Sequence, residues 1–343
     1  MKILISASNM THIKNFHIPY IEKFKELGND VSILASGEGA DFNIPFKKSV
    51  FSLKNIFQIP KIRKILKKEK FDVVYLHTTL CAFFVRLAMK GLKNRPYVIN
   101  TVHGYLFSDN TSKIKKSIYL FCEKLLKKQT DDIVVMNSED YKISTENKLS
   151  LNNVYFCNGM GVKFNDLPNV EKQISDKTRL VFVGEISKRK NQAFLVKALQ
   201  HLPNYTLTLV GDGSERKNIE KLIKKLSLED RVTITGFTKD IYNYLLNSDI
   251  YVCASQIEGL PFNIMEAMYA RLPIVATNIK GHKDLLSNSQ LYDYNNMEQF
   301  VSLVKSTSKE KINYNLEKYK LENVLEENIK IYTSFSKLNQ NAK

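Results

Sequence analysis

The stretch IYVCASQIEGLPFNIMEAMYARLPIVAT, residues 250–277, reads as strand, loop, helix and strand in succession. Residues 250–254 and 273–277 are short apolar runs rich in β-branched side chains. Pro261 between them suits the first turn of a helix, where its fixed φ is already helical and its missing N–H would go unpaired in any case. Two strands joined through a helix run parallel. The same pattern extends upstream, with strands expected at 180–184, 206–210 and 232–236, and an earlier series at 2–6, 31–35, 72–77, 97–103, 132–137 and 153–157. Strands alternating with helical patterns predict an α/β chain with parallel sheets covered by helices on both faces.

Between the two series the polar stretch 163–177, with Pro168, interrupts the periodicity. The expected division is a first domain at 1–165, a second at 166–320, and a C-terminal helix and tail at 321–343. That helix carries Leu321, Val324, Leu325, Ile329, Tyr332 and Phe335 at helical spacing, and is expected to return to the first domain. Ligands of open α/β sheets bind beyond the carboxyl ends of the strands, so two Rossmann-like doubly wound domains are expected to face a cleft.

A chain of 343 residues exceeds what one core usually serves. Its start runs straight into a strand without the apolar h-region of a signal peptide, and no apolar run approaches the ~20 residues of a spanning helix. The expectation is a cytoplasmic protein, with the inner face of the cell membrane within its reach. Cys81, Cys122, Cys157 and Cys253 lie far apart without metal-site spacing, and are expected reduced and buried. The net charge of +16 is uneven: residues 1–165 hold 26 Lys/Arg against 14 Asp/Glu, the remainder 25 against 21. A basic first half favours anionic partners, whether nucleic acid, an acidic lipid surface or a phosphorylated substrate. For nucleic acid the charge is the only support, because no basic motif interleaved with aromatics is present, so none is expected as a partner.

The chemistry concentrates at three strand-to-helix junctions of the second half. Glu258 precedes Gly259, Leu260, Pro261 and Phe262, and Glu266 lies inside the helix that follows. Amide hydrogens at that helix start suit an anion, and a diphosphate there would leave the two carboxylates for sugar hydroxyls on either side. Alone, the segment also reads as a helix start whose acidic residues suit the macrodipole. The second junction, Gly184 to Asn191, places Lys188, Arg189 and Lys190 just before a helix, where cations oppose the macrodipole and call for an anion. The third, Gly211-Asp212-Gly213, permits close backbone approach. Neither a G-x-G-x-x-G turn nor a phosphate-binding P-loop is present.

The order and spacing of Lys190-Asn191, Gly211–Gly213 and Glu258 with Glu266, followed by Glu266-Ala267-Met268, residues 272–277 and Gly281, resemble the large family of retaining glycosyltransferases with the GT-B fold, the subgroup often called family four. The resemblance covers most of residues 180–286. It implies that Lys190 neutralises the donor diphosphate, Glu266 holds the nucleotide ribose, Glu258 lies near the donor sugar, and main-chain groups of 259–262 complete the pocket. Relatives often carry arginine directly after the first glycine; here Glu185 stands there and Arg189 is the expected substitute. In the first half the resemblance assigns His103, in Thr101-Val102-His103-Gly104, to the donor sugar, and Asn9 and His12 to the loop that approaches phosphate and acceptor, where the usual paired glycines are missing.

It further implies a nucleotide-sugar donor, UDP by preference, retention of configuration, and a lipid-diphosphate-linked or saccharide acceptor in capsule or exopolysaccharide assembly. No D-x-D occurs and the six histidines are not expected to cluster, so no metal and no cofactor is expected. Two basic amphipathic stretches, 60–70 and 113–128, each suit either a core helix with a solvated lysine face or an anionic lipid surface. Two alternatives to transfer stay open: a nucleotide-sugar epimerase or hydrolase on the same fold, and a basic non-catalytic binding protein.

Overall fold

The computed structural model describes residues 1–47, 52–108, 111–164, 166–170 and 175–334. The chain forms two compact units, one of residues 1–161 with 321–343, the other of residues 162–320. The crossing thus falls at Gly161–Val162, against an expected division at 165, a residue outside those described.

The first unit is built on seven strands: β1 (Lys2–Ser6), β2 (Asp30–Ala35), β3 (Phe42–Asn43), β4 (Val73–His77), β5 (Tyr97–Val102), β6 (Asp132–Val135) and β7 (Val154–Phe156). Their order is β3-β2-β1-β4-β5-β6-β7 and every pair is parallel. β4 and β6 are buried at every position, as a sheet covered on both faces requires. The second unit has β8 (Thr178–Val183), β9 (Tyr205–Val210), β10 (Val232–Gly236), β11 (Ile250–Cys253), β12 (Ile274–Thr277) and β13 (Leu291–Tyr292), in the order β10-β9-β8-β11-β12-β13, again all parallel. The order reverses between β1 and β4 in one sheet and between β8 and β11 in the other. Those are the switch points where such sheets hold ligands.

The helix Leu321–Thr333 belongs to the first unit. It buries Val324, Asn328 and Tyr332. Asn328 Nδ2 donates to Tyr20 Oη and to the Gly159 carbonyl, both at 2.9 Å; the Tyr75 hydroxyl donates to the Tyr332 carbonyl at 2.8 Å. Phe335, expected on the same face, lies outside the described residues.

The two basic stretches part company. The helix Ile59–Glu69 buries Ile62 and Leu66 and turns its lysines outward. In the helix Lys113–Leu125 the apolar residues Ile114, Ile118, Phe121 and Leu125 are themselves exposed. That helix packs on the core through Tyr119 and Leu120 and is tied by Glu123, whose carboxylate takes two hydrogen bonds from the buried Arg86 guanidinium, at 2.8 and 3.2 Å. Cys81, Cys157 and Cys253 are buried free thiols, but Cys122 on this helix is half-buried, a correction to the expectation for all four.

Candidate functional site

In the second unit the loop after β8 and the segment after β11 meet at the switch point. Asn263 Nδ2 donates to the Val183 carbonyl at 2.9 Å, and the Gln256 amide donates to the Arg189 carbonyl at 2.9 Å. Between these ties lies an ion pair: Lys190 Nζ is 2.6 Å from Glu258 Oε1, and Arg189 Nη1 is 2.9 Å from Glu258 Oε2 and 3.1 Å from the Ile257 carbonyl. Lys190 and Glu258 are both buried, while Arg189 is exposed. Within the second unit, the anion that Lys190 and Arg189 meet is the carboxylate of Glu258.

Burial alone would raise the Glu258 carboxyl; Lys190, and after it Arg189, overcome that and bring it down to about 2. Glu266 meets the opposite balance. Burial pushes its carboxyl up to about 7, and the attraction of Lys190 only partly offsets it. Lys190 acts on both carboxylates, so the three residues share one neighbourhood. Glu266 has no side-chain hydrogen bond among the described residues, and one face of it remains open.

Close backbone approach shapes the floor. Gly211 has φ +146°, and a Cβ there would fall 2.0 Å from the Gly184 carbonyl oxygen; at Gly281, φ +79°, it would fall 2.3 Å from the Gly259 carbonyl oxygen. Pro261 is the residue before the helix Phe262–Tyr269, with extended ψ 116°, and so stands just ahead of the first turn in which it was expected. Leu260 and Pro261 are buried and Phe262 is half-buried beside them. Asn191, at φ +56°, opens the helix Gln192–Ala198 without capping it, and its amide reaches Asn295 at 3.1 Å.

Sequence reasoning missed the layer beneath. His282, fully buried, follows Gly281; its Nδ1 lies 2.8 Å from the Thr277 carbonyl and its Nε2 3.8 Å from Cys253 Sγ. His282 also acts electrostatically on Glu258. The signal was its place one residue beyond a glycine already singled out after β12.

In the first unit the structure corrects a second expectation: four of the six histidines cluster. His77 ends β4, His103 follows β5, and His12 and His17 come from the chain after β1. β1, β4 and β5 are neighbours, so their carboxyl ends gather residues separated by as many as 91 positions in sequence. His77 Nδ1 lies 3.2 Å from His103 Nε2, and the His17 and His77 rings meet at a tilt of 36° with centroids 3.8 Å apart. Burial holds the His12 imidazole down at about 4 and keeps His17, His77 and His103 well below the usual range. Asn9 spends its side-chain oxygen as a helix cap, accepting from the His12 amide at 2.9 Å.

Comparisons with known proteins place this geometry. A family model described as glycosyl transferases group 1 matches residues 164–330, and one described as glycosyl transferase 4-like matches residues 2–138. The putative glycosyltransferase EpsD of Bacillus subtilis is 28% identical over 311 residues, covering 84% of this chain and 82% of that protein. An Escherichia coli UDP-Gal:alpha-D-GlcNAc-diphosphoundecaprenol alpha-1,3-galactosyltransferase is 25% identical over 339 residues, 90% of this chain and 86% of its own. Among solved structures, Anabaena HepE in complex with UDP and glucose superposes with a TM-score of 0.74 at 18% identity, covering 97% of this chain and 100% of that one. With family models on both halves and two parallel-sheet units of GT-B type, the chain belongs to the group 1 glycosyltransferases and is a sugar-transferring enzyme.

Proposed function

We propose that this enzyme moves a hexose or N-acetylhexosamine from a UDP-sugar to a lipid-diphosphate-linked or saccharide acceptor, with retention of configuration, in cell-surface polysaccharide assembly. The observation that carries the donor reading is the buried Lys190–Glu258 pair at the second sheet's switch point, with Glu266 beside it. An ammonium already desolvated and held by a carboxylate is set to exchange that partner for a diphosphate. Glu258, released, turns to a sugar hydroxyl, and Glu266 accepts from the ribose. HepE with UDP and glucose, and the Escherichia coli relative named for UDP-Gal and a diphosphoundecaprenol acceptor, support the choice of nucleotide and acceptor class.

In the transfer step the acceptor oxygen bonds to the anomeric carbon as the bond from that carbon to the phosphate oxygen breaks. UDP departs, and the acceptor proton passes to the departing phosphate. Charge growing on the diphosphate is met by Lys190 and Arg189. We assign no metal and no cofactor to this step. In the first unit His103 and His12 are assigned to the sugar and acceptor side.

The test is thermal denaturation with UDP-, GDP- and ADP-sugars. A UDP-sugar at 100 times its Kd is expected to stabilise the fold by about 2.7 kcal/mol, and the other two to act less at equal concentration. No shift with any nucleotide sugar would refute the reading.

We further place the enzyme in the cytoplasm, docked on the inner face of the cell membrane through the helix Lys113–Leu125. No helix among the described residues is long and apolar enough to cross a membrane. This one presents Ile114, Ile118 and Phe121, at 78%, 52% and 65% exposure, next to Lys113, Lys115 and Lys124. Apolar insertion plus about 1 kcal/mol for each lysine near an anionic surface suffices for reversible binding. The protein is expected to float with anionic vesicles at low salt and to stay at the bottom of the gradient when Ile118→Glu and Phe121→Glu are combined; flotation unchanged by the pair would contradict the assignment.

A further inference from the structure

The histidine cluster of the first unit goes beyond what sugar transfer uses. His12, His17 and His103 each offer a ring nitrogen, and the three atoms lie within 4.8 Å of one another. His12 Nε2 and His17 Nε2 are buried with no hydrogen-bond partner among the described residues. Two polar atoms removed from water without a partner are costly to the fold, and a ligand that satisfied them would recover that cost. A bound sugar hydroxyl could satisfy one. A group that draws all three nitrogens toward a single point is a metal ion.

We propose that His12, His17 and His103 form a Zn2+ site with a fourth, open position, and that its occupancy restrains the enzyme by withdrawing His103 from substrate. The donor set selects the ion: three imidazoles without carboxylate or thiolate suit zinc and its borderline neighbours, not magnesium or calcium. Zinc at about 2.0–2.1 Å from each nitrogen sets nitrogen separations near 3.4 Å. The cluster therefore closes by roughly 1–1.5 Å on binding, within the reach of side-chain rotation. The frame for that closure is firm. His17 sits where the helices Met10–Phe16 and Ile18–Glu26 join, its amide donating to the Ile13 carbonyl at 2.8 Å. His12 is one turn earlier on the capped first helix, and meets His103 edge-on with centroids 4.9 Å apart. His77, 3.2 Å from His103, is the adjoining imidazole that orients it.

The zinc site itself does not depend on the donor reading; only the restraint does. The experiment strips the purified chain with a chelator and measures Zn2+ binding by competition with a chromophoric chelator, alongside X-ray absorption of the zinc-loaded protein. One equivalent per chain is expected, with a first shell of nitrogen and oxygen at about 2.0–2.1 Å showing imidazole scattering. His12→Gln and His17→Gln are each expected to weaken it by more than about 100-fold, the upper end of what losing an outer-shell partner costs. The exposed His201→Gln control is expected to leave it unchanged. Since His17 is buried and its variant can fail to fold, the absorption spectrum of the unmodified protein decides independently. No binding at equimolar zinc, sulfur in the first shell, or binding untouched by both variants would overturn the site. Binding as expected with a transfer rate indifferent to zinc would overturn the restraint alone.

Discussion

Lys190→Ala is expected to lower kcat/KM for sugar transfer by about 100- to 1,000-fold, the loss typical of removing one charge-stabilising group from a leaving-group site. It is expected to destabilise the unliganded fold as well. Glu258 is buried, and its carboxyl stands near 2 because Lys190 and Arg189 outweigh burial. Its ionised form therefore contributes stability that is present above the ordinary carboxylate value near 4.5 and lost as the pH falls through about 2. Without Lys190 that contribution shrinks, and a buried charge left by its partner costs about 3–5 kcal/mol. Arg189 stays 2.9 Å away, so the lower end of that range is expected. Adding Glu258→Gln to Lys190→Ala removes the orphaned charge. The double variant is expected to recover most of the stability, read by denaturant titration, and none of the activity. Recovery of both would mean that the pair only supports the fold.

Glu266→Gln is expected to act with opposite signs on stability and on binding. Burial raises the Glu266 carboxyl to about 7, so the folded chain holds a proton there that the unfolded chain releases near 4.5. Ionised Glu266 is thus a penalty that is absent at pH 4, grows between those values and is complete above pH 7. The glutamine variant should be more stable than the parent at pH 8, by about 1–3 kcal/mol after allowance for partial exposure, and equal to it at pH 4. Its affinity for UDP should fall about 10- to 100-fold, as expected on losing a charged hydrogen bond to the ribose. Denaturant titrations at both pH values with calorimetric UDP binding check this; a variant weaker in both respects would place Glu266 in the fold and not in the site.

Much of this was legible because parallel sheets write themselves into sequence. Buried strands such as β4 and β11 are mostly apolar runs, and the two glutamates assigned to the donor, Glu258 and Glu266, follow β11 within 13 positions. β3 and β13 escaped notice because two residues carry no periodicity. The partner of Lys190 escaped for a different reason. Glu258 stands 68 positions away, and only the adjacency of β8 and β11 brings the two together. The histidine cluster hides in the same way, assembled across three neighbouring strands from residues with no shared motif. Amphipathicity alone could not separate the helices Ile59–Glu69 and Lys113–Leu125, since both alternate lysine with apolar side chains. What differs is whether the apolar residues are covered: Ile62 and Leu66 are buried in the core, whereas Ile114, Ile118 and Phe121 are exposed.

Whether Lys190 grips the diphosphate is decided by measuring the affinities of UDP and of uridine for the parent chain and for Lys190→Ala. UDP is expected to bind the parent far more tightly than uridine does, and the substitution to remove most of that difference while leaving uridine nearly unchanged. A UDP preference that survives intact in Lys190→Ala would contradict it.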